Sequence, residues 1–296
     1  MRICVHLGPH RTATTHFQQM LAAARPGVTA AGGRLLLPRD LRGPRALPLE
    51  AAVAGDVDAA GRFRQGALPG PKGLLLSEEN LLGPALRRDL GPLPYPLAAM
   101  RLERLLTAAA WPTPVHLMLA IRPPADWLVS AYSQRLLAGH YLPFAEFAAG
   151  IDPRCLGWAG LVGRLRALSG VAGCIWWRFA EYPRLLPAIL SQAVPVEAAG
   201  LVRASPGRAN PGLSAPAVAA VAAAASGKDR AAQRALAAEA RARFPVGAAS
   251  PPFAPFPPQL LAEAAAAHAE DLARLACLED VACLRVEATA RPDPGT

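Results

Sequence analysis

The sequence predicts an α/β fold with a central parallel sheet between two helical layers (α/β/α) and extra helices toward the C-terminus. Three observations predict it. Short apolar runs bounded by turn residues alternate with segments whose apolar residues recur every three to four positions. The run Val115–Ile121 is continuously apolar, as a strand buried on both faces must be. The first apolar run ends in a glycine, then a basic, hydroxyl-rich turn, then a helix start, which is the order of a phosphate loop.

In chain order, the first strand covers residues 3–7 and its helix about 14–24. Residues 38–71 are rich in Pro, Gly and Arg and read as an irregular excursion with one short helix, Leu49–Ala54. A second strand is Gly73–Ser77. A helix over about 97–110 precedes the strand Val115–Ile121, and the proline pair after it starts a helix over about 125–138. Short helices follow near Phe144 and Trp158, and then a strand at 173–179. The remainder reads as helical over 184–193, 215–225, 230–243 and 258–276, with the break PVGAASPPFAPFPP before the last segment. Residues 1–290 are read as one domain and 291–296 as a disordered tail.

Of the 296 residues, 52% are hydrophobic and 18% charged, which supplies a sizeable core and excludes a disordered chain. The net charge of +9 is almost wholly arginine, because Lys72 and Lys228 are the only lysines. Such a balance favours anionic partners, although an Arg-, Ala-, Gly- and Pro-rich composition also follows from a high-GC coding bias. No basic run is interleaved with aromatics, so nucleic acid is not the expected partner. The five cysteines are scattered and lack metal-site or disulfide-framework spacing. With no signal-peptide pattern and no apolar run of membrane-spanning length, the expectation is a soluble, cytoplasmic protein without a required metal.

Three motifs carry chemistry, each at the end of an expected strand. In HLGPHRTATTHF, Gly8 permits a tight turn and His10, Arg11, Thr12, Ala13, Thr14 and Thr15 follow, so that loop N–H groups and the helix N-terminus converge on one anion. The triphosphatase loop would need glycine at 13 and lysine at 14, and the chain has Ala13 and Thr14. In LLLSEENLLG, Glu78 and Glu79 offer carboxylates that can accept a proton, with Ser77 and Asn80 beside them; Ser77 can equally cap a helix there. In IRPPADWLVSAY, Arg122 ends a strand and Ser130 lies on the following helix, a planar cationic fork and a hydroxyl suited to one phosphate.

The first and third motifs resemble those of sulfotransferases that use 3′-phosphoadenosine 5′-phosphosulfate (PAPS). In that family Pro-Lys-Ser-Gly-Thr-Thr follows the first strand, and an Arg with a Ser eight residues on grips the 3′-phosphate. Arg11 stands at the lysine, Ala13 at the glycine, and Thr14 and Thr15 at the hydroxyl pair; Arg122, Pro124, Asp126, Ser130 and Tyr132 fall into step with the second pattern. The stretch SEEN resembles one found in bacterial members. The resemblance implies in-line transfer of a sulfuryl group from PAPS to a hydroxyl or amine, leaving adenosine 3′,5′-bisphosphate, with no metal. Arg11 would stabilise the leaving oxygen, loop amides with Thr14 and Thr15 the 5′-phosphate, and Arg122 with Ser130 the 3′-phosphate, while Glu78 or Glu79 would act as base. The acceptor would be a small molecule, a glycan or a lipid headgroup. Arg208 reads as a solvent-facing loop residue within a further family-like stretch.

Two positions depart from the family pattern. Arg11 cannot give up a proton as a lysine can. Ala13 would strain the loop if its backbone is left-handed. A nucleotide-binding protein without transferase activity, or a kinase of the P-loop superfamily, are the alternatives.

Overall fold

The computed structural model describes residues 1–87, 90, 93–200, 202 and 212–285. Arg208 and the tail 291–296 lie outside the described residues. Along the chain the elements are β1 (Arg2–His6), α1 (Thr14–Ala30), β2 (Gly33–Leu36), α2 (Pro38–Leu41), α3 (Leu49–Ala54), α4 (Val57–Gly66) and β3 (Gly73–Ser77). A 3-10 turn, Glu79–Leu82, precedes α5 (Ala98–Ala109), β4 (Val115–Ile121), α6 (Pro124–Leu137), α7 (Phe144–Phe147), α8 (Trp158–Arg166) and β5 (Val171–Arg178). A second 3-10 turn, Phe179–Glu181, leads into α9 (Tyr182–Ala193), α10 (Val196–Ala199), α11 (Ala215–Ala224), α12 (Arg230–Arg243), α13 (Pro258–Ala276) and β6 (Val281–Cys283).

All strands are parallel, in the order β2-β3-β1-β4-β5-β6. The α/β/α expectation therefore holds, with β1 central: Ile3 pairs with Leu74 of β3 on one side and Val115 of β4 on the other. Alternate residues of β1 feed opposite faces, as the period of a strand requires. Ile3 and Val5 join a core with α3, α4, α5, α8 and α13. Cys4 joins a second core with α1, α9 and α10. A third cluster packs Tyr132 and Leu136 of α6 against α11 and α12. Because the chain crosses from β3 on one side of β1 to β4 on the other, the C-terminal ends of these three strands bound a crevice of the kind where ligands of open parallel sheets collect.

Several elements differ from the sequence expectation. The first helix continues six residues beyond the expected end, through Pro26, because Val28 is buried in the core and Arg25 is tied to the Leu35 carbonyl at 2.9 Å. The short helix expected at Leu49–Ala54 is present as α3, but residues 38–71 are not otherwise an irregular excursion: they also carry α2 and α4. Asp56 caps α4 by accepting from Ala59 N–H at 2.8 Å, and Ala59 and Phe63 are fully buried on its inner face. The strands β2 and β6 were not expected, being four and three residues long with no readable alternation.

The helix α8 is capped from elsewhere in the chain. Asp271 of α13, buried, accepts from the N–H of Trp158 at 2.6 Å and of Ala159 at 3.3 Å. Trp158 in turn donates from its indole to the Arg122 carbonyl at 2.8 Å. Asp271→Ala leaves those helix N–H groups buried and without an acceptor, so it is expected to lower unfolding free energy by about 2 kcal/mol. Urea titration checks this, with the denaturant slope unchanged.

Candidate functional site

The loop after β1 is shaped by its backbone. Leu7 N–H donates to the Met118 carbonyl at 3.0 Å and keeps the chain in the sheet until Gly8. Gly8 has φ +35, and a Cβ there would lie 2.7 Å from Thr14 Oγ1 and 2.8 Å from the His6 ring, so a side chain is excluded. Thr12 donates to the Pro9 carbonyl at 2.5 Å and Thr14 to the Gly8 carbonyl at 3.2 Å, so both hydroxyls hold the loop itself. Arg11 (φ 71) and Ala13 (φ 64) are left-handed and Thr12 between them is not, an alternation that curls successive N–H groups into a concavity. Among the described residues the N–H groups of Arg11 to Thr15 find no acceptor. Only Thr15 keeps an exposed residue at the helix start.

His10 is fixed by three groups. Its N–H donates to the Tyr95 hydroxyl at 2.8 Å, its Nδ1 lies 3.0 Å from the same oxygen, and its Nε2 lies 3.1 Å from Asn80 Oδ1. The Tyr95 hydroxyl, which accepts from the His10 N–H, can donate to Nδ1, and Nε2–H can then donate to Asn80 Oδ1. Trp127 secures the His10 carbonyl at 3.2 Å.

Arg11, Ser130 and Arg122 come together. The Arg11 guanidinium crosses to α6, donating from Nε to Ser130 Oγ at 2.8 Å and from Nη1 to Gln134 Oε1 at 3.0 Å. Arg122 donates to the Arg11 carbonyl at 3.1 Å and stacks over Phe179, 5.0 Å from the ring centre. Neither arginine has an ion-pair partner among the described residues. Burial depresses the pKa of both; Arg241 adds to the effect at Arg11, while at Arg122 Asp126 opposes it and Arg11 reinforces it. The family resemblance gave Arg11 to the leaving oxygen and Ser130, with Arg122, to the 3′-phosphate, whereas here Arg11 itself lies on Ser130.

The carboxylates at the end of β3 are clamped by Arg42, which lies just after α2. Its guanidinium grips Glu78, with Nε at 2.8 Å from Oε2 and Nη2 on Oε1, and Nη2 also reaches Glu79 Oε1 at 3.0 Å. Gln18 of α1 holds the other Glu79 oxygen at 2.9 Å and also reaches Ser77 Oγ at 3.2 Å. Burial alone would raise the Glu79 pKa, but the Gln18 amide, its own backbone N–H and Arg42 outweigh it, so the pKa is lowered. Hydrogen bonding to Glu78 raises that of Arg42.

One open cleft of about 1760 Å³ joins these groups, running from the loop past Glu79 to the segment around Leu47. Among the expected residues His10, Arg11, Ala13, Thr14, Thr15, Glu78, Glu79 and Arg122 line it. Gly8, Thr12 and Ser130 are buried behind that wall and shape it. Sequence reasoning missed Arg42, Gln18, Tyr95 and Gln134. Gln18 lies one helical turn after Thr14 and Gln134 one turn after Ser130, spacings that place each beside a motif residue. Arg42 and Tyr95 carried no local signal.

Two outcomes follow. A non-glycine residue in the left-handed region costs about 1–2 kcal/mol, partly offset by the chain entropy of glycine, so Ala13→Gly is expected to stabilise the fold by about 0.5–1 kcal/mol in chemical denaturation. Burial, slightly opposed by Glu79, lowers the pKa of His6, which bonds Ser77 Oγ at 2.8 Å, to about 4. The unfolded chain then binds this proton first, so stability is full above pH 6.5 and falls by roughly 3 kcal/mol as pH drops toward 4. His6→Gln measured over the same pH range should flatten that slope.

Comparison of the chain with protein-family models, curated proteins and solved structures finds no match to any of them.

Proposed function

We propose that the protein is a PAPS-dependent sulfotransferase, moving a sulfuryl group to a hydroxyl or amine of a small-molecule, glycan or lipid-headgroup acceptor. One observation carries the reading: two guanidiniums without carboxylate partners, Arg11 and Arg122, stand with the free loop N–H groups in the same cleft as a carboxylate pair. Two clustered cations without an anion are a binding site for one. Carboxylates further along the cleft are what an acceptor hydroxyl needs when it loses its proton.

In this reading the loop N–H groups and Thr15 hold the 5′-phosphate, and Arg122 the 3′-phosphate. Arg11 exchanges Ser130 for the ligand and stabilises charge on the oxygen between phosphorus and sulfur as the S–O bond lengthens. Catalysis is positioning and charge stabilisation, as in phosphoryl transfer. No metal is invoked. Among the described residues no helix is long and apolar enough to cross a membrane. We place the reaction in the cytoplasm, where the five free cysteines would stay reduced.

A second reading, a nucleotide-binding protein without transfer, is favoured by the commitment of both carboxylates to Arg42. Calorimetric titration with adenosine 3′,5′-bisphosphate, against ADP with Mg²⁺, tests the shared nucleotide site. The bisphosphate is expected to bind more tightly, and Arg122→Ala to weaken it about 10–100-fold, the worth of one charged phosphate contact. Absence of binding, or a preference for ADP with Mg²⁺, overturns both readings.

A further inference from the structure

Resting on the transferase reading, we propose that the carboxylate pair is divided: Glu79 is the catalytic base that meets the acceptor, Glu78 is a structural anchor, and Arg42 is the positioning residue that aims Glu79. The bonding of the two carboxylates separates them. Glu78 has a side chain 3% exposed, and its Oε1 accepts both from Arg42 and from Asn80 N–H at 2.8 Å, while Oε2 takes Arg42 Nε. It is consumed in joining the segment after α2 to the 3-10 turn that follows β3. Glu79 has a side chain 15% exposed; one oxygen accepts from Arg42 at 3.0 Å and the other from Gln18 at 2.9 Å, and its own backbone N–H is a third donor. A carboxylate accepts about four hydrogen bonds, so Glu79 retains a lone pair, and being the more exposed of the two it can offer it to a hydroxyl in the cleft.

Arg42 and Gln18 approach Glu79 from different elements and fix the plane of its carboxylate. The groups around it are Arg42 from the segment after α2, Gln18 from α1, the neighbouring Glu78, neutral His6 on β1, and Tyr95, whose titrations both sense Glu79. Of these, Gln18 and Arg42, with the backbone N–H of Glu79, outweigh burial and favour the ionised carboxylate, as a base must be ionised before it can accept a proton. Arg42 also lies on the segment that lines the acceptor end of the cleft, so seating of the acceptor and aim of the base share one side chain.

The step balances as follows. The acceptor oxygen forms a bond to sulfur while its proton passes to Glu79. The bond from sulfur to the bridging oxygen breaks, and adenosine 3′,5′-bisphosphate leaves with that electron pair.

The test uses the full chain. Carboxyl-carbon NMR titration of Glu79 is followed in the parent protein, Arg42→Ala and Arg42→Lys, alongside sulfate release from PAPS with water as the acceptor. Expected are an upward movement of the Glu79 midpoint in Arg42→Ala, with a smaller one in Arg42→Lys, which retains a charge but not the fork. An arginine that only braces the fold would shift that midpoint by its charge yet leave sulfate release by the folded Arg42→Ala variant near the parent rate, whereas loss of aim lowers release in Arg42→Ala and Arg42→Lys restores part of it. Glu79→Gln should lose about 10²–10⁴-fold in release, and Glu78→Gln less than about 10-fold once circular dichroism shows it folded. An unmoved midpoint in both Arg42 variants, or equal losses for the two glutamates, overturns the proposal. Should the parent protein neither bind the bisphosphate nor release sulfate, the transferase reading and the base role of Glu79 fail together. The midpoint shift would then stand alone as evidence for the Arg42 clamp.

Discussion

The cleft depends on one constraint: β1 is hydrogen-bonded along both edges. A strand paired with β3 and β4 at once has no freedom to slide or tilt, so the residues that follow it start from a fixed point. The same pairing sets His6 opposite Ser77 and ends β3 beside the loop, so the turn that carries Glu78 and Glu79 emerges alongside it, with Asn80 3.1 Å from His10. β4 does the same for Arg122 on the other side. Three strand ends, three motifs and one crevice are consequences of placing β1 in the middle.

Charge is distributed along that crevice in two different states. At the Glu78–Glu79 end, one guanidinium, that of Arg42, is shared between two carboxylates. At the loop, the hydrogen bonds that Arg11 and Arg122 make among the described residues go to neutral oxygens, those of Ser130, Gln134 and a backbone carbonyl. Neutral acceptors meet the hydrogen-bonding need of a guanidinium but leave its charge uncompensated. An anion arriving there competes only with neutral partners, which is a weaker competition than displacing a carboxylate.

How much of this was legible in the sequence follows from the range of the interactions. The strands β1, β3 and β4 were readable because each is an apolar run closed by a turn, and their motifs because they are contiguous. Of the three helices between residues 38 and 66, α3 was readable, whereas α2 and α4 were hidden, since Pro and Gly disfavour helix locally while burial of Leu41, Ala59 and Phe63 supplies the stabilisation from outside. Arg42 was invisible for a related reason: its partners lie 36 and 37 positions away, and nothing in its own neighbourhood distinguishes it from other arginines. Arg11 was found, but its direction was not, because a left-handed backbone at that residue turns the side chain toward α6 and no local rule foretells it.

The cap on α8 has a consequence in time as well as in space. The carbonyl of Arg122 is held by Trp158, and the helix that carries Trp158 is tied down by Asp271 of α13. Synthesis runs from the N-terminus, so β1, β3 and β4 leave the ribosome well before Asp271 does. A nascent chain can assemble the strands that frame the cleft while the indole that steadies Arg122 still rides on an uncapped helix. The corner of the cleft that holds Arg122 is thus completed only when α13 has emerged and docked on α8.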